Sequence, residues 1–176
     1  MRSTIKIVIL LFFICTSMSG ASFPDMEKYM RQHALIWEQL PMQWNEGAFL
    51  GNGLVGMMVY ADSTLNALVF HLGRPDVTDH RKAPYRKTSI GTEEADKMVD
   101  FCRLDVGKML LFPEGKILSG TFYLDIYNAE LTGHLKTDKG DLTFHAYTPQ
   151  PEEVNIVEVS SGVPYRWKGI PGNPCS

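Results

Sequence analysis

Apolar and polar residues alternate with a period of two through most of the second half of the chain. The alternation runs through the segments CRLDVGKMLLF, GTFYLDIYNAELTGHLK, LTFHAYT and NIVEVSS. This period is typical of a β-strand with one buried face and one solvated face. Turn-forming residues recur about every ten positions, and the TDKGD turn at 137–141 offers Gly140 for a positive φ. The pattern predicts antiparallel sheets stacked as a β-sandwich.

The first half of the chain is less regular. LVGMMVYA is a nearly continuous apolar run and NALVFHLG follows it after the turn-like ADST, so the two segments predict a buried β-hairpin. Upstream, Pro24 and Asp25 form a helix-start signal, and the apolar spacing predicts a helix as far as Leu40, which Pro41 would end. The polar segment 74–97 predicts a long loop.

The first 21 residues have the organisation of a secretory signal peptide. MRSTIK is positively charged, IVILLFFIC is a short apolar run, and Ser19 and Ala21 occupy the −3 and −1 positions of a cleavage site. The apolar run is too short to span a bilayer comfortably. The alternative is a lipoprotein signal acylated at Cys15, although the residues before it fit a lipobox poorly. We therefore expect an exported protein, periplasmic or extracellular, and favour cleavage over lipid anchoring.

Composition and net charge argue against some classes of function. The chain has 176 residues, of which 44% are hydrophobic, enough for one core. Without Arg2 and Lys6 of the signal peptide, 15 basic residues remain against 20 acidic ones, a net charge of −5. An acidic exported chain is a poor candidate for binding nucleic acid. Cys102 and Cys175 could form a disulfide or remain free thiols, and their spacing predicts no zinc site. We expect no cofactor.

The glycine-rich segment from Trp44 to Ala61, WNEGAFLGNGLVGMMVYA, is the most informative stretch of the chain. A phosphate-binding loop is excluded because these glycines precede a strand rather than a helix. Gly51-Asn52-Gly53 predicts a tight turn that enters a core strand. The turn is either purely structural or part of a surface that faces a sugar, to which Trp offers a flat ring and Asn offers hydrogen bonds. The candidate ligand-facing residues are Trp44, Asn45, Glu46 and Asn52.

This segment also carries a resemblance to a known family. A Leu-Gly-Asn-Gly-x-x-Gly-x-Met-Val pattern occurs here as Leu50-Gly51-Asn52-Gly53, Gly56, Met58 and Val59. Further along the chain come Tyr123-Leu124-Asp125-Ile126, Ala129, the TDKGD turn, Pro151-Glu152 and Asn155-Ile156-Val157. From residue 37 to residue 160 the chain resembles the N-terminal β-sandwich of glycoside hydrolase family 95 and related exported bacterial proteins. The resemblance implies an all-β fold: an incomplete antiparallel β-sandwich of the supersandwich type, with a short N-terminal helix.

The resemblance also implies where the chemistry lies. In such enzymes the catalytic groups lie in a downstream (α/α)6 barrel, so we expect no catalytic residue in this chain and an interface with that barrel. Arg74 and Asp76 become candidate substrate-binding residues in the loop after the second strand. The family's Asn-Glu-Asp-Thr-Leu-Trp-Ser-Gly is here the segment 72–79, which keeps only the Asp. This departure argues against fucose specificity and for a sister family of unknown substrate.

Four segments are expected along the chain: a signal peptide over 1–21, a helical lead over 22–43, the sandwich over 44–162 and a Pro/Gly-rich tail over 163–176. The tail shows no closing element, which favours a fragment of a longer glycan-acting enzyme. The alternative is a free-standing carbohydrate-binding sandwich. Its stacking platforms would be Trp37, Trp44 and Trp167.

The remaining chemistry-bearing residues favour structural interpretations. His71 lies in an alternating strand, where a histidine satisfied by a neighbour is commoner than a ligand. Cross-strand pairing over the TDKGD hairpin would explain His134 and His145. The other loop groups are Glu46, Asp76, Asp79 and His80. We expect these side chains to be solvated rather than catalytic or metal-binding.

Overall fold

The computed structural model describes residues 25–78 and 104–172. Its helices are α1 (Met26–Arg31) and a short 3-10 helix (Trp44–Glu46). Its strands are β1 (Leu35–Trp37), β2 (Ala48–Gly51), β3 (Gly56–Asp62), β4 (Ala67–Gly73), β5 (Gly107–Pro113), β6 (Ile117–Asp125), β7 (Glu130–Thr137), β8 (Asp141–Tyr147), β9 (Ile156–Ser161) and β10 (Tyr165–Pro171). The predicted signal peptide with Cys15, the groups Asp79 and His80, and the cysteines Cys102 and Cys175 lie outside the described residues.

The strands form two five-stranded antiparallel sheets. Sheet I has the order β1-β6-β7-β8-β9, and sheet II has the order β10-β5-β4-β3-β2. The predicted β3–β4 hairpin forms with Val59 opposite Phe70, and the TDKGD turn joins β7 to β8 with Gly140 at a φ of +149°. The predicted all-β sandwich is therefore confirmed.

A single apolar core fills the space between the two sheets. Alternate residues of the strands point into it, as the period-two pattern requires. Five aromatic rings cross this core from one sheet to the other, with centroid separations of 5.4, 5.5, 5.4 and 6.4 Å between successive rings. In spatial order they are Trp167, Phe70, Phe144, Phe122 and Trp37. The three contacts among Phe70, Phe144, Phe122 and Trp37 are edge-to-face, a geometry that adds to the stabilisation that burial provides.

Gly133 makes room for this aromatic row. It lies on β7 between Phe122 on β6 and Phe144 on β8, at the same level of sheet I. A Cβ atom at this position would overlap the Phe144 ring. The ring therefore lies directly on the glycine backbone, and the packing depends on the missing side chain.

The predicted N-terminal helix is shorter than expected. Asp25 caps it by accepting a hydrogen bond from the Lys28 N–H at 3.2 Å, but the helix ends at Arg31 rather than at Leu40. Residues 35–37 instead form β1, in which Leu35 lies opposite Leu124 of β6. The prediction was wrong here because strand pairing and the packing of Trp37 on Phe122 outweigh a local helical pattern.

The predicted Pro/Gly-rich tail contains a strand. β10 pairs with β5 in antiparallel register, with Trp167 opposite Leu111. The sequence obscured this strand because prolines lie before it and at its last position. Prolines are tolerated there, since an edge strand needs only half of its backbone groups for pairing. Within the described residues, no helix is long and apolar enough to cross a membrane.

Candidate functional site

Asn52 fastens the two sheets together at one end of the sandwich. It lies in the β2–β3 turn, where Gly53 has a φ of +90°. Its side-chain oxygen accepts from the N–H groups of Leu54 at 3.0 Å and Val55 at 3.1 Å. Its amide nitrogen donates to the carbonyls of Pro149 at 2.9 Å and Glu152 at 2.7 Å. The predicted tight turn is thus present, and one side chain ties it to the β8–β9 connection.

Two further side chains strengthen this connection. Gln150 donates to the Asn52 carbonyl at 2.9 Å, and Asn155 donates to the Gly56 carbonyl at 3.3 Å. Thr148 in turn donates its hydroxyl to the Asn155 side-chain oxygen at 2.8 Å. We call Asn52, Gln150 and Asn155 the inter-sheet clamp. Both amide hydrogens of Asn52 are used within it, so a sugar hydroxyl could accept from Asn52 only by displacing a backbone carbonyl.

Arg74 organises a second cluster near this end of the sandwich. It follows Gly73, the last residue of β4, which lies opposite Gly56 at the start of β3. Its guanidinium donates to both carboxylate oxygens of Asp76, at 2.7 and 3.0 Å, and forms an ion pair with Glu153 at 2.6 Å. Arg74, Asp76 and Glu153 form what we call the arginine–carboxylate cluster. Arg74 and Asp76 lie just after β4 of sheet II, and Glu153 lies in the connection between β8 and β9 of sheet I.

The charges of this cluster are fixed by its hydrogen bonds. Those to Asp76 and then Glu153 raise the pKa of Arg74 above its ordinary value. The hydrogen bond from Arg74 lowers the pKa of Asp76. The cluster therefore carries one positive and two negative groups at neutral pH. Asp76 is poorly suited to be a general acid, because such a group must hold its proton near neutral pH.

The other predicted residues lie elsewhere on sheet II. Trp44, Asn45 and Glu46 form the 3-10 helix before β2, and the residue Trp44 is 64% exposed. Strand β2 separates this helix from the Asn52 turn, a distance of roughly 10 to 13 Å along four residues. Trp37 donates its indole N–H to the Glu46 carbonyl at 2.9 Å. The six predicted residues thus form two groups, one around Trp44 and one around Arg74 and Asn52.

A groove that the sequence did not predict opens along one side of the sandwich. Its volume is about 500 Å³. It lies between β9 of sheet I and β3, β4, β5 and β10 of sheet II, and its lining is almost wholly apolar. The lining residues are Met57, Phe70, Leu72, Met109, Asn155, Val157 and Trp167. The only sequence signal for it was the apolar residue Trp167 within a segment that we interpreted as a tail.

Three of the described histidines, His71, His134 and His145, contact carboxylates. His71 contacts Asp105 at 2.9 Å, which confirms the interpretation of a satisfied strand histidine. Burial opposes ionisation of Asp105, but the hydrogen bonds from His71 and from the Gly107 N–H outweigh it and lower its pKa. Within residues 25–78 and 104–172, no group of three or more His, Cys, Asp or Glu side chains is placed to hold a metal ion.

Cross-strand contacts account for His134 and His145, as the sequence predicted. His134 on β7 contacts Asp141 on β8 at 3.5 Å. His134 lies opposite Thr143, and His145 lies opposite Thr132, so the two rings are not cross-strand partners of each other. His145 contacts two glutamates, Glu130 and Glu158, each at 3.2 Å.

The sequence matches no protein-family model and no curated protein.

Proposed function

We propose that this chain is the non-catalytic β-sandwich domain of an exported, glycoside hydrolase-like enzyme. In this proposal the sandwich packs on an (α/α)6 barrel and presents the arginine–carboxylate cluster to a glycan at the rim of the barrel's pocket. The observation that supports it best is that cluster. Arg74 is only 31% exposed, whereas Asp76 and Glu153 are exposed and held in place by it.

The chemistry of the cluster suits a sugar better than a catalytic step. A carboxylate oxygen has two lone pairs, so Asp76 and Glu153 can accept from sugar hydroxyls while they remain bonded to Arg74. Charge-assisted hydrogen bonds of this kind are stronger than neutral ones. Glycoside hydrolysis by the common route instead needs one carboxyl group that stays protonated. The lowered pKa of Asp76 opposes that role.

The test compares binding and turnover in the chain alone. Affinity electrophoresis against a panel of plant and host oligosaccharides should show retardation that Asp76→Asn and Glu153→Gln both weaken. Glu46→Gln is the matched control, because Glu46 lies in the 3-10 helix away from the cluster. Release of reducing ends from the same panel should stay at background. Turnover by the chain alone, or binding unaffected by both cluster variants, would contradict the proposal.

One observation favours the alternative of a free-standing carbohydrate-binding module. Trp44 is 64% exposed as a residue, and its indole could stack on a sugar ring. This function predicts that Trp44→Ala abolishes retardation and that the cluster variants leave it unchanged. The other two candidate stacking platforms, Trp37 and Trp167, both contact phenylalanines of the core, so they are less suited to stack on a sugar. The proposed docking domain would in addition self-associate in light scattering through exposed apolar surface, whereas the free-standing module would remain monomeric.

A further inference from the structure

We propose that the outer edge of β10 is a strand-addition site for another polypeptide, one that presents an extended segment of alternating acidic and apolar residues. Strand addition of this kind obtains affinity from backbone hydrogen bonds and specificity from alternate side chains. The inference does not depend on the proposed function. It rests on the free backbone groups of β10, the groove on one of its faces and the basic residues on the other.

The backbone register shows which groups of β10 point outward. The N–H of Glu114 donates to the Pro164 carbonyl at 2.7 Å, and the N–H of Gly172 donates to the Val106 carbonyl at 3.3 Å. In an antiparallel pair such bonded positions alternate with non-bonded ones. The even-numbered residues of β10 therefore bond to β5, and the odd-numbered ones point away from it. Among the described strands β10 pairs with β5 alone, and all of its residues are exposed.

Three odd-numbered residues offer both a donor and an acceptor along this edge: Tyr165, Trp167 and Gly169. Pro171 offers only its carbonyl, because proline has no N–H. An edge with this many unpaired groups is a template for a further strand.

The inward face of the edge selects apolar side chains. Trp167 points toward the core, with its ring centroid 5.4 Å from that of Phe70, and it lines the apolar groove beside Met109. A strand added to β10 would place every second side chain on this face, because side chains alternate along a strand. Those side chains would extend the apolar wall of the groove.

The outward face of the edge selects acidic side chains. Arg166 and Lys168 lie on it, and Lys108 of β5 lies opposite Ile170 on the same face. Within the described part of the chain, none of these three cations forms an ion pair. Arg166 lies over the Phe112 ring at 4.2 Å from its centroid, which leaves its N–H groups available to a carboxylate. The carboxylate of Asp105 is bonded to His71 and also attracts Lys108, so Arg166 and Lys168 contribute most of the positive charge of this face. Three basic groups on one small surface of an acidic protein would attract a segment with carboxylates at alternate positions.

The same charges disfavour a second copy of this chain as the occupant. Two β10 strands paired antiparallel would bring Arg166 and Lys168 of each copy close to those of the other. Like charges on neighbouring strands are destabilising, and basic residues on edge strands are a common means of preventing self-pairing. The charges therefore identify the partner as an acidic segment.

The experiment uses a fluorescent peptide as the probe and reads its binding to the full chain by anisotropy. The peptide matches the 7-residue length of β10, alternates glutamate with valine and is blocked at both ends. A control peptide carries lysine in place of each glutamate. We expect the glutamate peptide to bind and the lysine peptide to bind at least about tenfold more weakly.

Gly169 provides a matched pair of variants. Gly169→Pro removes one outward N–H and leaves the bonds to β5 in place, because position 169 does not bond to β5. Gly169→Ala keeps the N–H, and its methyl group would lie 3.6 Å from the Met109 sulfur, an ordinary contact. We expect the proline variant to bind the peptide about tenfold or more weakly, because it loses one backbone hydrogen bond and the strand geometry that this bond supports. The alanine variant should keep wild-type affinity.

Charge reversal completes the design. Lys168→Glu should weaken the glutamate peptide and strengthen the lysine peptide, while the thermal midpoint of each variant shows that it is folded. Three results would overturn the proposal: no binding of the glutamate peptide, equal binding by the Gly169→Pro and Gly169→Ala variants, or dimerisation of the wild-type chain that Gly169→Pro abolishes. The last result would identify a second copy as the occupant.

Discussion

Replacement of Asn52 by alanine tests how much the inter-sheet clamp stabilises the sandwich. The substitution removes the four side-chain hydrogen bonds of Asn52, two of which are partly buried. A typical hydrogen bond contributes about 0.5 to 1.5 kcal/mol net, and an exposed one lies at the low end because water replaces the lost partner. Four bonds then give about 2 to 4 kcal/mol. This is a large part of the roughly 5 to 15 kcal/mol that stabilises a typical domain.

The assay is urea unfolding of wild type and variant, followed by circular dichroism and by tryptophan fluorescence. Coincident transitions and an unchanged m value would show that the midpoint reports stability alone. Asn45→Ala is the matched control. Asn45 is exposed and makes no side-chain hydrogen bond within the described residues, so it should change stability by less than about 0.5 kcal/mol.

A second substitution isolates the donor half of the clamp. Asn52→Asp keeps an oxygen for the N–H groups of Leu54 and Val55 but replaces the amide donor with an oxygen that faces two carbonyls. We expect a loss of about 1 to 3 kcal/mol, because the two carbonyls lose their donor and face an oxygen that repels them. If Asn52→Ala cost no more than Asn45→Ala, the clamp would not be a stabilising element and the reasoning would be refuted.

Three further predictions concern core packing, the loss of stability at low pH and the exposure of the tryptophans. Gly133→Ala should cost about 1 to 3 kcal/mol, because the added methyl group overlaps the Phe144 ring and overpacks the core; the urea midpoint measures this. Asp105→Asn should reduce the loss of stability on acidification. The lowered pKa of Asp105 means that its contribution is full above its ordinary pKa near 4 and is lost as pH falls through the lower folded value. Thermal melts from pH 2 to pH 7 would show a flatter acid limb in this variant. Finally, acrylamide should quench Trp44 most strongly of the described tryptophans, since this residue is 64% exposed, against 37% for Trp167.

Each of these predictions has an internal comparison. Gly162→Ala should be nearly neutral, because its added methyl group would come no closer than 3.8 Å to the Asp141 carbonyl. Equal costs at Gly133 and Gly162 would contradict the packing described for the aromatic row. An unchanged acid limb in Asp105→Asn would show that the contact with His71 does not stabilise the fold. For quenching, variants that retain only Trp37 or only Trp167 provide the protected references, and equal quenching of all three would contradict the described exposures.

The period-two pattern predicted the strands well where one face is buried and the other is solvated. β6, β7 and β8 follow it, since each packs one face on the core. The pattern failed where long-range pairing decided the structure. Nothing near residues 35–37 indicates that they pair with β6, and the glycines and prolines of residues 163–172 concealed β10.

The sequence identified several residues of the candidate site but not the contacts that bring them together. The Gly51-Asn52-Gly53 turn could be predicted from the sequence because glycine and asparagine favour turns. The partners of Asn52 are carbonyls of residues 149 and 152, and a backbone carbonyl leaves no signature in the sequence. The pairing of Glu153 with Arg74 was not predictable either, because the two residues are far apart in the sequence. A glutamate in a loop is normally interpreted as a solvated charge, and only the fold shows that it lies beside a cation.

The chain order of the strands has a consequence for the route by which the protein folds. Among the described strands, the first, β1, belongs to sheet I, although the next four form sheet II. The last of them, β10, returns to sheet II after four strands of sheet I. During synthesis on a ribosome, the edge of β5 that pairs with β10 would therefore stay unpaired until residues 165–171 emerge. In the same way β1 would stay unpaired until β6 has been made. Contacts between distant parts of a chain slow folding, so we expect the sandwich to close late, after synthesis has passed β10.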